Sequence, residues 1–261
     1  MPRLTLSDGQ ALNYRLDGPE GAPWLVFGNS LMTDLTIWDA QVAALSADYR
    51  ILRYDQRGHG ASSVPAEAAE MARLSADLAE LVAAVGACDL TYVGLSMGVP
   101  TGLGAVAGFG DRLAGFVGVD GLCRAAPGGG GFWEERIATA RAGGMGLIAD
   151  QTCARWLVSE EARAALGPVL HAMIAATPLE GFAACAAALM SYDVADAWLG
   201  LKVPSLLIAG AEDQRLLPGI EAMIAMKPNA SQRIIPAAGH LPNFERVADF
   251  NSVLLEFLQK N

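Results

Sequence analysis

Leu90-Thr-Tyr-Val-Gly-Leu-Ser-Met-Gly98 joins a β-favouring apolar run directly to a serine that has glycine two positions away on either side. An Ala- and Gly-rich run able to pack as a helix follows at once. A strand that turns sharply into a helix lifts the intervening side chain out of the backbone. Neighbouring main chain then passes so close that a Cβ two positions away would collide with it, hence glycine at 94 and 98. The pattern predicts a nucleophile elbow with Ser96 at its apex. Its Oγ faces a cleft at a helix N-terminus, where unpaired N–H groups favour developing negative charge.

Working outward, the other segments supply strands and helices in alternation. Leu4 to Leu16 alternates in polarity around Asp8-Gly9, a hairpin signal, and predicts an antiparallel edge. Trp24-Leu-Val-Phe27, Ile51-Leu-Arg-Tyr-Asp55, Leu113 to Val119, Val203 to Ala209 and Arg233-Ile-Ile-Pro236 read as further strands. Trp38 to Ala47 reads as a short helix, and Phe244 to Leu258 as an amphipathic C-terminal helix. Met71, Leu74, Leu78, Leu81, Val82 and Val85 recur at helical spacing. Alternation of this kind predicts an α/β domain with a mostly parallel sheet covered on both faces. About eighty residues separate the strands at Leu113 and Val203, too many for a loop in a compact domain. They open with a flexible Gly128-Gly-Gly-Gly131 and continue as helix-forming sequence. The expected division is a core of residues 1–122 and 200–261 with a helical lid inserted at 123–199.

Composition narrows the function classes. The chain has 261 residues and a formal charge of −10, with no basic tract to neutralise phosphates, which argues against nucleic-acid binding. Cys88, Cys123, Cys153 and Cys185 are irregularly spaced, without a Cys-x-x-Cys pair for zinc or redox work, and read as reduced, mostly buried thiols. The first residues lack a basic start and a long apolar core, and no apolar run reaches membrane-spanning length. A cytoplasmic protein with a small-molecule partner and no membrane contact is expected.

Ser96 needs a base, and the chain has three histidines, His59, His171 and His240. His240 follows the last strand in a Gly-containing loop, at the sheet edge where sites form. His59 reads as a loop residue bonding backbone near Asp55, and His171 as part of a lid helix. Asp213, three residues beyond the Leu206-Leu-Ile-Ala-Gly210 strand, is placed to orient the imidazole, with Asp120 as the rival acid. The order serine, acid, histidine is that of α/β-hydrolases. For an oxyanion, the backbone N–H groups of Met97 and Leu31 are the expected donors, the second in the loop after the Trp24 strand.

Gly28-Asn-Ser-Leu-Met-Thr-Asp34 with Trp38, Arg53-Tyr-Asp-Gln-Arg-Gly-His-Gly-Ala-Ser62, Gly94-Leu-Ser-Met-Gly98, Gly121-Leu-Cys123, Gly210-Ala-Glu-Asp213 and Gly239-His240 together resemble the 3-oxoadipate enol-lactonase group of α/β-hydrolases. The likeness covers almost the whole chain. It implies an α/β-hydrolase fold with an eight-stranded sheet, and opening of an anionic enol-lactone in aromatic-compound degradation without metal or organic cofactor. Asn29-Ser30-Leu31, Gly121-Leu-Cys123 and the Trp133, Arg136, Arg155-Trp156 pattern of the lid are closer to that group than to the broad superfamily. Arg124, Arg136 and Arg155 are then candidates to hold a free carboxylate, and Trp133 and Trp156 to wall the lactone ring. The chain departs from the group at Met32, where glycine is usual, at Val99-Pro100, and at Arg124, where a neutral residue is common. The alternatives are a carboxylesterase or perhydrolase acting on small neutral esters with the same triad, and a non-catalytic ligand-binding protein of the same fold. A haloalkane dehalogenase would resemble this elbow with aspartate in place of Ser96.

Overall fold

The computed structural model describes residues 2–260. The Asp8-Gly9 turn connects β1 (Arg3–Thr5) to β2 (Ala11–Asp17) as an antiparallel pair, with Gly9 at φ +83°. The other strands, β3 (Trp24–Gly28), β4 (Arg50–Tyr54), β5 (Leu90–Leu95), β6 (Leu113–Val119), β7 (Ser205–Gly210) and β8 (Ser231–Ile235), are mutually parallel. Among the described residues they form one eight-stranded sheet in the order β1-β2-β4-β3-β5-β6-β7-β8. The chain runs outward from β3 to β4 and then crosses back to place β5 on the other side of β3. That reversal opens a crevice at the carboxyl ends of β3 and β5. Gly28 pairs with Gly94 in this register, so the loops after the two strands start side by side.

Strand alternation divides the core in two. Phe27, Val93, Leu95, Val117 and Val119 face one cluster, which takes in Leu45 of α1 (Asp39–Leu45) and Phe250 and Leu254 of α10 (Val247–Lys260). Val26, Tyr92, Phe116 and Leu207 face the other, covered by α2 (Met71–Val85) and α3 (Gly98–Phe109) through Leu78, Leu81, Val82, Leu103 and Phe109. Each fully buried large apolar side chain contributes about 1.5–3 kcal/mol, so the period-2 pattern of the strands dominates the fold.

Between β6 and β7 lie α4 (Gly129–Trp156), α5 (Glu160–Ala176), α6 (Leu179–Ala188) and α7 (Ala195–Gly200). Ala140, Ile148, Leu170, Ile174 and Phe182 of these helices join the same cluster as Phe27 and Val93. The insertion therefore packs onto the sheet domain and shares its core. The glycine run, expected to be flexible, is largely helical. Gly128 alone takes the left-handed turn, at φ +74°, and Gly129 to Gly131 open α4. A second positive φ, +78° at Gly144, kinks that helix. The C-terminal segment also differs from expectation. Arg246 interrupts it between α9 (Pro242–Glu245) and α10, because Asn243 and Glu245 turn inward to bond Ile37, Val158 and Gly239. Among the described residues no single helix is long and apolar enough to cross a membrane.

The loop after β4 clamps the loop after β3. Asp55 accepts from the N–H groups of Leu35 and Ala61, both at 2.8 Å, and from Asn13 Nδ2 at 2.7 Å. His59 is buried; its Nε2 accepts from the Met32 N–H at 2.9 Å and its Nδ1 faces the Arg57 carbonyl at 3.1 Å. A neutral ring with the proton on Nδ1 satisfies both contacts. Met32 itself sits at φ +66°, which accounts for the glycine usual there, and its side chain is buried in the core. Burial pushes the His59 imidazole down to about 4, with the Arg57 carbonyl and Asp34 offsetting only part of the cost. An unfolded histidine binds its proton near pH 6.5. The stability contributed by neutral His59 is therefore complete above about pH 6.5 and is lost as pH falls toward about 4, by up to about 1.4 kcal/mol per pH unit. Urea unfolding at pH 7 and pH 5 checks this: His59→Gln should flatten the wild-type decline, and equal slopes for the two proteins would refute it.

Candidate active site

The elbow forms where β5 runs into α3. Ser96 stands at φ +52°, its N–H donating to the Val119 carbonyl at 2.7 Å and its carbonyl accepting from the Val99 N–H at 2.9 Å. A Cβ on Gly94 would lie 2.5 Å from the Gly98 carbonyl oxygen, and one on Gly98 would lie 2.6 Å from that of Gly28. Tyr92 Oη donates to the Gly98 carbonyl at 2.7 Å and braces the crossing from below. Pro100 falls in the first turn of α3, where a missing N–H leaves no intrahelical bond unmade.

Loops after β7 and β8 bring the acid and the histidine to the same edge. His240 Nδ1 donates to Asp213 Oδ2 at 2.6 Å, and the Ser96 hydroxyl lies 2.9 Å from His240 Nε2, oriented to donate to it. Burial pushes the Asp213 carboxyl up, but the hydrogen bond and charge of His240, with Arg215 and Arg155 nearby, outweigh it and hold the group below its ordinary value. Asp120 is elsewhere engaged: both of its oxygens face the Gly210 N–H, at 3.2 and 3.1 Å. Complete burial and the charge of Asp213 drive its carboxyl well up. The structure thus places Asp213, not Asp120, on the imidazole. His171 lies on the surface 3.2 Å from Asp150, and neither it nor His59 approaches Ser96.

Two contacts from the insertion steady the histidine. The Trp156 ring lies 4.8 Å from the His240 ring, tilted by 35°. Glu245 accepts from the Val158 N–H at 2.8 Å through one carboxylate oxygen and from the Gly239 N–H at 2.6 Å through the other. One carboxylate thereby ties the end of α4 to the residue preceding His240.

Ser96, His240 and Asp213 open into a cavity of about 170 Å³, lined also by Leu31, Met97, Trp133, Arg155 and Trp156. A cavity of about 150 Å³ holds one benzene ring, so the space suits a single small ring. Among the described residues no protein acceptor takes the backbone N–H of Leu31 or Met97. Arg124 and Arg136, expected as substrate contacts, do not line the cavity. Arg124 is exposed and pairs with Asp193 at 2.9 Å, where a β-bridge holds the two residues together. Arg136 is buried behind the wall, donating to Thr152 Oγ1 at 2.6 Å. Reasoning from sequence missed Phe132 and Arg215, both in the lining. Adjacency to Trp133 and to the Asp213 loop was the available signal. The four cysteines are unpaired, with Cys123 and Cys185 buried, Cys153 half-buried and Cys88 exposed.

Comparison with known proteins identifies the family and the fold. Residues 21–253 match the model of the alpha/beta hydrolase family. The 3-oxoadipate enol-lactonase 2 of Acinetobacter baylyi is 30% identical over 95% of this chain and 92% of its own. The crystal structure of an enol-lactonase from Burkholderia xenovorans superposes with a TM-score of 0.91 at 31% identity, covering 99% of this chain and 100% of the other. A thermophilic esterase from Thermogutta terrifontis, with malate bound, gives 0.88 at 29% identity, covering 100% and 99%. With the strand order, the serine on its glycine-flanked turn and a match across nearly the whole length all in agreement, the chain belongs to the alpha/beta hydrolase family.

Proposed function

We propose that this protein is a serine hydrolase that opens a small anionic enol-lactone, 3-oxoadipate enol-lactone, to the oxo acid. The observation that carries the reading is His240 lying between Asp213 and Ser96 at 2.6 and 2.9 Å. In this reading Ser96 Oγ attacks the lactone carbonyl while His240 Nε2 takes its proton. Asp213 holds the ring in the required tautomer and stabilises the imidazolium. The N–H groups of Leu31 and Met97 receive the oxyanion. The ring C–O bond breaks, the leaving enol oxygen takes the proton from His240, and the enol tautomerises to a ketone, which draws the reaction forward. Water, deprotonated by His240, then attacks the acyl-enzyme, and the carboxylate leaves as Ser96 recovers its proton. The named relatives support the substrate class, since two are enol-lactonases and the third, an esterase, holds a small dicarboxylate.

Incubation of the purified protein with the enol-lactone and, separately, with a short-chain nitrophenyl ester tests the reading. A higher kcat/KM on the lactone is expected, and a preference for the neutral ester would replace it with a carboxylesterase. Ser96→Ala should abolish turnover of both substrates with the fold intact by circular dichroism; undiminished hydrolysis would end the mechanism. Asp213→Asn should lower kcat by on the order of 10³–10⁴, since the amide favours the wrong imidazole tautomer. Asp120→Asn should have much the smaller effect, and the reverse ranking would move the role of the acid to Asp120.

A further inference from the structure

Three arginines converge on one ring at the mouth of the cavity. The guanidinium carbons of Arg215, Arg155 and Arg136 lie 4.4, 5.4 and 5.8 Å from the centroid of Phe132. Most other ordered arginines of this acidic chain hold a carboxylate: Arg53 with Asp17, Arg57 with Asp77, Arg73 with Glu80, Arg124 with Asp193, Arg246 with Asp249. Among the described residues none of the three around Phe132 makes an ion pair. Arg136 donates from its two terminal nitrogens to the neutral oxygens of Thr152 and Gln151 and stays behind the wall. Arg155 and Arg215 line the cavity and, among the described residues, donate to no protein acceptor. The carboxylates nearest them are committed or unattached: Asp213 is taken by His240, and Glu212, also in the lining, reaches neither arginine.

Like charges gathered without ion pairs oppose one another. Burial of its guanidinium, then the charges of Arg136 and Arg215, pull Arg155 down to about 10, with the charge of Asp213 offsetting part of the shift. A negative charge placed between Arg155 and Arg215 removes that opposition. Stacking on Phe132 offsets part of it in the free protein and leaves each planar fork with its N–H edge free to donate.

We propose that Arg215, together with Arg155 across the Phe132 ring, is the binding subsite for the free carboxylate of the substrate, and that Arg215 sets the preference for anionic over neutral substrates. The two cations come from different parts of the chain. Arg155 is on the last turn of α4 in the insertion; Arg215 follows Asp213 in the loop after β7. A bound carboxylate therefore bridges the insertion to the sheet domain while the scissile carbonyl reaches Ser96 in the same cavity. The subsite rests on the hydrolase reading above and narrows its substrate class to short carboxylic acids bearing a hydrolysable lactone or ester.

The test compares wild type, Arg215→Gln, Arg215→Lys and Arg155→Gln on the enol-lactone and on the methyl ester of its free carboxylate. The ratio of kcat/KM for acid over ester should fall at least about tenfold in Arg215→Gln, chiefly through KM, with partial recovery in Arg215→Lys. A ratio that stays within about twofold of wild type overturns the assignment. The second arm uses adipate as a competitive inhibitor of nitrophenyl acetate hydrolysis. Its Ki should rise about tenfold or more in Arg215→Gln and in Arg155→Gln, and stay unchanged in Arg124→Gln, whose side chain lies outside the cavity. If wild type turns over the neutral ester but not the lactone, the substrate named above is wrong, and the adipate arm alone decides the subsite. Equal Ki values for wild type and Arg215→Gln, or no inhibition of either, overturn it.

Discussion

Backbones cross at the elbow where no Cβ fits. A methyl group on Gly94 at the end of β5 would strike the Gly98 backbone, one on Gly98 at the start of α3 would strike that of Gly28, one on Gly28 at the end of β3 would strike the Tyr92 hydroxyl, and one on Gly121 after β6 would strike the Ser96 carbonyl. This packing forces the chain to turn at Ser96 with a positive φ, a conformation that costs a non-glycine residue of order 1–3 kcal/mol. The buried strands on either side bear that cost. Because Gly28 and Gly94 are register partners, the crossing also brings the loop carrying Leu31 alongside the residue that follows the serine. The exposed placement of Ser96, the N–H groups of Leu31 and Met97 and the helix N-terminus are consequences of a single steric constraint.

Much of this was legible in the sequence because it is local. Glycine spacing around Ser96, the Asp8-Gly9 turn and the period-2 apolar runs each report on a few consecutive residues, and the order of Ser96, Asp213 and His240 follows from which strand each one ends. What escaped depends on contacts between distant segments. Nothing near Phe244 marks a break at Arg246, since the cause is Glu245 reaching for Val158 and Gly239. Gly128 to Gly131 read as flexible, yet helix capping needed only the first of them in a left-handed turn. Long cations were hardest to place. Arg124 and Arg215 are equally plausible by composition, and the presence of Asp193 beside one and Phe132 beside the other separates them.

The arrangement of charge follows a division of labour. Arg53 and Arg57 are buried with carboxylates about them and fasten loops to the sheet; Arg57 bridges Asp8 and Asp77 while its carbonyl faces His59 and Cys185 of α6. Such pairs fix geometry more than they add stability. Among the described residues the cations around Phe132 stand at an opening without an ion pair, and the aromatic ring and the nearby charge of Asp213 offset part of their electrostatic cost.

Glu245 belongs to the sheet domain, yet it grips the insertion at Val158 and the histidine loop at Gly239 through backbone N–H groups alone. A grip on main chain takes no account of which side chains the insertion carries. The cavity walls other than Trp156 are thus free to diverge while His240 stays in register with Ser96, and a foreign cap grafted between β6 and β7 would need a free N–H where Val158 stands and a ring in place of Trp156 to keep the histidine seated.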